Sequence, residues 1–176
     1  MKKIKNGFTL IEVVVSMALL VLVFGGLIGV MILSQETKIS TKNNLIANNL
    51  AQEGIDLVRF IRDRNYNDRV GVFTGLYENP EEPFSFTIMS DVTGAIAITE
   101  VSGNVKNSDA LKIFNHRYMY TEDLTAINTP FRRLITTTYN AGATPPHLAV
   151  KSEVYWQSDN KQNTITIQDE LTDWRP

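Results

Sequence analysis

The chain has 176 residues, 43% of them hydrophobic, a formal net charge of -2 and no cysteine. That length accommodates one domain plus an appendage, and the missing cysteine excludes disulfide staples, thiolate nucleophiles and cysteine metal sites. The charge is unevenly spread: residues 1–33 carry three Lys and one Glu, residues 34–69 six basic and five acidic groups, and residues 70–176 eight basic and thirteen acidic groups. An acidic C-terminal part is a poor match for phosphate backbones, so direct nucleic-acid binding is not predicted.

The first element is apolar. From Phe8 to Leu33 only Thr9, Glu12 and Ser16 are clearly polar, and a helix over those 26 residues spans about 39 Å, enough to cross a hydrocarbon core of about 30 Å. Lys2, Lys3 and Lys5 precede the run and no Lys or Arg follows until Lys38, which predicts a single-pass protein with its N-terminus in the cytoplasm. The run exceeds a secretory signal core, and no Ala-x-Ala-like cleavage site follows it. Glu12 is the anomaly, because an acid inside a membrane helix costs about 2.5–3.5 kcal/mol on insertion scales and calls for a partner.

Beyond Leu33 the sequence turns polar with helical rhythm, Ile39, Ile46, Leu50, Leu57 or Val58, and Ile61 forming one stripe. Asp56 and Arg59, and Arg59 and Asp63, are neighbours of opposite sign on the other face. No proline occurs before Pro80, so a continuous helix from Phe8 to about Arg64 is predicted, its second half packed on something other than lipid. Gly25, Gly26 and Gly29 are weak points at about 1 kcal/mol each against alanine. Gly25 and Gly29 also form a GxxxG pattern, so local melting and close helix contact both remain open.

A loop follows around Gly71, Gly75, Pro80 and Pro83, then strand candidates at 84–88, 95–101, 111–114, 117–120 and 131–139. The clearest pair closes the chain. Leu148, Val150, Val154 and Trp156 share one face of a strand, Ile165, Ile167 and Leu171 share one face of the next, and residues 158–162 form the turn. Such a hairpin has one wet face, and the amphipathic helix is its natural cover. The predicted fold is α+β: a long N-terminal α-helix packed on a C-terminal antiparallel β-sheet.

The stretch "KIKNGFTLIEVVVSMALLVLV" resembles the N-terminal signature of type IV pilins and the related pseudopilins. What the resemblance implies is a prepilin whose leader, residues 1–7, is cut by a prepilin peptidase between Gly7 and Phe8, with Phe8 then N-methylated. It further implies that Glu12 pairs with the N-terminal amine of a neighbouring subunit. Two opposite charges near 4 Å attract by about 4 kcal/mol at an effective dielectric of 20, comparable to the insertion penalty. The implied organisation is a filament-core helix over 8–33, its amphipathic continuation over 34–66, a connecting loop over 67–83 and a sheet domain over 84–176. The implied partners are other pilin subunits, an assembly ATPase, a platform protein and the inner membrane before export to a surface filament.

Two features depart from the major pilins: the glycine group stands where a mid-helix proline is common, and a C-terminal disulfide is impossible. A pseudopilin of type II secretion or a minor pilin therefore fits as well, and "NNLAQEGIDLVRFIRDRN" is similar to segments of PilV-like minor pilins. The rival reading is a membrane-anchored adhesin or binding domain that never polymerises.

No catalytic constellation is visible, and neither a cofactor nor an enzymatic role is predicted. His116 and His147 lack metal-ligand spacing. Asp159, Asn160 and Asn163 read as a turn rather than a calcium loop. Trp156 reads as core, whereas Trp174 docks on the sheet or contacts another subunit.

Overall fold

The computed structural model describes residues 9–90, 96–115, 117–121, 124–158 and 161–173. The chain divides into two compact units, Met1–Lys42 and Asn43–Pro176. A single helix, α1 (Leu10–Asn67), supplies nearly all described residues of the first unit and opens the second. Among the described residues seven strands follow: β1 (Pro83–Ser90), β2 (Ile96–Glu100), β3 (Ala110–Phe114), β4 (Arg117–Met119), β5 (Ile127–Asn140), β6 (His147–Ser158) and β7 (Lys161–Thr172). This is the α+β arrangement that the hydrophobic periods predict.

In the second unit α1 buries Ala47, Leu50, Ala51, Gly54, Ile55, Val58, Ile61 and Asn65, a stripe with the spacing of three and four that defines one helix face. Leu50, Val58 and Ile61 fall on it as predicted, but Ile39 is exposed. The stripe is richer in small residues than the apolar count foresaw, and Gly54 shows why. A Cβ there would collide with Ser152 Oγ and come within 3.2 Å of Arg133 Cδ, so helix and sheet meet closely at a residue without a side chain.

α1 ends where Arg69 adopts a positive φ of 58° and the Val70 N–H bonds back to the Asn65 carbonyl at 3.1 Å. The Asn65 amide then donates to the carbonyls of Val72 (3.1 Å) and Thr74 (2.8 Å), folding the chain back under the helix end. The segment expected as a loop is therefore part of the core, with Val72, Phe73 and Leu76 packed among Ile55, Val58 and Ile61.

All seven strands join one antiparallel sheet. β5 organises it: β6 runs along one edge over Arg132–Asn140, while β1 and β3 share the other edge end to end. The β3–β5 register slips between Ala110 and Lys112, where Pro130 sits in β5. A proline cannot donate to a ladder, so a bulge is the place for it. Thr129 Oγ1 donates to the Leu111 carbonyl there at 2.6 Å.

On β6 and β7 the alternation falls as the sequence predicts, with Leu148, Val150, Val154, Trp156 and Leu171 buried toward the helix. The strands run further than expected, because Ser158 already pairs with Lys161. The expectation of one entirely wet face needs correction. Leu134 and Tyr155 on the outer face are buried with Val105, which belongs to a single 3-10 turn over Val105–Asn107.

Candidate assembly surface

The first half of α1 is the reverse of the second. An 18-residue window within it has a mean hydropathy of 2.7, and no residue of that window is buried. The large apolar side chains from Leu10 to Leu33 are between 43% and 84% exposed, on every side of the helix rather than along one stripe. Exposure of this kind is stable only in lipid or against other helices. Gly25, Gly26 and Gly29 lie within regular helix, with open space where a Cβ would stand at each.

Glu12 lies in the first turn of α1. Thr9 precedes the helix, and the Glu12 backbone N–H donates both to the Thr9 carbonyl at 3.1 Å and to Thr9 Oγ1 at 3.4 Å. Thr9 is thus the N-cap and Glu12 the third helical residue, the T-x-x-E pattern of a capping box. The sequence reading missed this second reason for an acid at Glu12, although the pattern before an apolar run is its standard signal. A carboxylate there also faces the positive end of the helix dipole, worth about 0.3–1 kcal/mol. Among the described residues no cation pairs with the exposed Glu12 side chain. Gly7 and Phe8 lie outside the described residues.

The charged groups on the second half of α1 tie it to the sheet. Arg59 pairs with Asp56 as expected, at 2.8 Å, but its second partner is Asp169 on β7 at 2.8 Å rather than Asp63, which pairs with Arg62. The Arg59 guanidinium is held above its ordinary pKa, chiefly by the hydrogen bond to Asp169. Arg133 went unnoticed in the sequence. Its side chain is 3% exposed, and its Nη1 donates to the Leu50 carbonyl and to Glu53 of α1, each at 3.1 Å. The Tyr120 hydroxyl donates to the Arg133 carbonyl at 2.5 Å, and burial raises the Tyr120 pKa.

The other polar candidates do not converge. Among the described residues no three His, Asp or Glu side chains gather in a metal-binding group. The His147 ring is 2.8 Å from the Asn140 amide. Asn163 belongs to β7 and its amide donates to the Lys161 carbonyl at 3.3 Å. His116, Asp159, Asn160 and Trp174 lie outside the described residues, whereas Trp156 is core.

A model of the prokaryotic N-terminal methylation motif matches residues 2–28. Comparison with curated proteins and with solved structures gave no match. The motif covers the lysines, Gly7, Phe8, Glu12 and the glycine at 25 and 26, so the chain carries a type IV pilin-like signal of the kind processed in pilins and pseudopilins. Such a signal marks structural proteins. Together with the apolar helix it points to membrane anchoring and a surface filament.

Proposed function

We propose that this chain is a prepilin, a structural subunit of a type IV pilus or a related filament. The observation that carries the reading is the overlap of the methylation motif with a helix that is apolar all round and uncovered by its own chain. In this account residues 1–7 are removed by a prepilin peptidase, Phe8 is methylated, and residues 8–33 form the filament core. Residues 34–66 continue the helix onto the sheet, and the sheet domain faces outward. An assembly ATPase and a platform membrane protein drive export from the cytoplasmic membrane.

Glu12 has two tasks in this reading. It supports the helix start beside Thr9, and its charge receives the amine created at Phe8 of the neighbouring subunit. Assembly is then coupled to processing, because the amine exists only after the cut, and an unpaired charge among apolar helices is strongly disfavoured.

The test separates the two tasks. Glu12→Gln keeps a side chain suited to the capping position but removes the charge, so it is expected to leave cleavage at Gly7 intact and reduce recovery in sheared filaments at least tenfold, about the effect of 1.4 kcal/mol in one contact. Recovery of Glu12→Gln in wild-type amounts would remove the intersubunit charge contact and leave helix capping alone.

A further inference from the structure

β7 is an edge strand of twelve residues. It pairs with β6 over its whole length without a register shift, and among the described residues its other edge has no partner. Natural edges of this length are usually blunted by a bulge, a proline or charges along the middle. β7 has none of these: its central stretch "QNTITIQ", Gln162 to Gln168, is uncharged, free of proline and glycine, and rich in β-branched residues. That composition belongs to strands that pair with copies of themselves.

We propose that the open edge of β7 pairs antiparallel with the β7 of a second copy of this chain, joining two sheets into one. A two-fold axis perpendicular to the sheet keeps each face on its own side, so every residue must meet one from the same face. Centred on Thr166, this pairing sets Thr164 opposite the partner's Gln168 and Gln162 opposite the partner's Glu170. On the helix-side face Ile165 meets the partner's Ile167. No like charges oppose one another.

Charge selects this register. Lys106, in the 3-10 turn over the outer face, holds its ammonium 2.6 Å from the Gln162 Oε1 atom. The partner's Glu170, opposite Gln162, therefore arrives beside a cation. Glu170 is exposed and has no ion pair of its own among the described residues. Symmetry makes the contact twice. The proposal goes beyond the filament reading: the two-fold runs the sheet-bound segments of the two α1 helices in opposite directions, so the pairing joins subunits of two filaments lying side by side with opposite polarity, or two chains released from the membrane, and not two chains anchored in one membrane.

The absence of cysteine makes the test direct. Residues opposite each other in an antiparallel pair have Cα atoms about 4.5–5.5 Å apart, within disulfide range. Full-length Thr166→Cys, released in mild detergent and oxidised with copper phenanthroline, is expected to form a disulfide-linked homodimer. The rate is expected to be at least about tenfold that of Gly142→Cys, an exposed turn position with open space around it, because pairing raises the local thiol concentration. Adding Glu170→Lys to Thr166→Cys is expected to return the rate to that of the control, and adding Lys106→Glu as well to restore it. Cross-linking of Thr166→Cys at the control rate, a linked product with the mass of a different protein, or indifference to Glu170→Lys would overturn the proposal.

Discussion

The two halves of α1 share a helix and a lack of proline, yet they solve opposite problems. From Ala47 to Asn65 one face is buried and the other carries Glu53, Asp56 and Asp63. The first half, from Leu10 to Leu33, has apolar side chains on all sides and none of them buried. A one-sided stripe is satisfied by one sheet; an all-round apolar surface needs cover all round. The first half therefore owes its stability to surroundings that the second half does not need, and that division of labour is what a membrane-stored, filament-forming subunit requires.

Matched substitutions sharpen the contrast. Ile55, 1% exposed, packs among Val58, Phe86 and Ile135, whereas Leu22 is 73% exposed. Ile55→Ala is expected to destabilise the sheet-bearing unit by about 3 kcal/mol, within the range for large-to-small core changes. Leu22→Ala is expected to change it by less than about 0.5 kcal/mol while lowering filament yield. Urea unfolding of the full chain in detergent, followed by the strand circular dichroism signal, reads both. Equal losses for the two variants would erase the distinction between the halves.

A smaller effect is expected at the link between helix and sheet. Glu53→Ala takes from the buried Arg133 Nη1 one of its two acceptors on α1 and leaves it the Leu50 carbonyl. Breaking a fully buried pair costs about 3–5 kcal/mol, but Glu53 is about half exposed and solvent screens it, so about 2 kcal/mol is expected. The same denaturant series measures it, and a change below about 0.5 kcal/mol would mean that the Leu50 carbonyl alone holds Arg133.

The smallest effect depends on pH. Burial raises the Tyr120 pKa, so the folded state holds the phenol proton more tightly than the unfolded chain does. The sign follows: this contribution is fully present below the unfolded value of about 10 and is lost as pH rises through the folded one. Tyr120→Phe is expected to cost about 1 kcal/mol at neutral pH, for the donated bond to the Arg133 carbonyl, and to weaken the alkaline loss. Unchanged stability curves above pH 10 for the two proteins would show that the buried phenol is not linked to folding.

The sequence made the period of each element legible and left the exceptions obscure. The α1 stripe and the β6–β7 faces follow from apolar spacing, because burial is one-sided there and slipping by one residue would expose the core. The packing of Val72, Phe73 and Leu76 was hidden, since glycines around them read as loop and only the Asn65 amide explains their return to the core. Arg133 was hidden for a different reason. Arg132 and Arg133 lie on opposite faces of β5, both faces carry apolar neighbours, and no periodic signal tells which arginine is inside. At the candidate surface the acid of Glu12 stood out as an anomaly in an apolar run, while its cap partner Thr9 looked ordinary.

The measurement that bears most directly on the central claim is the intact mass and N-terminal sequence of the protein isolated from its native membranes or filaments. The account predicts a chain beginning at methylated Phe8, 7 residues shorter than the encoded one. A chain beginning at Met1 would contradict it, making α1 a plain anchor and leaving Glu12 with its cap alone.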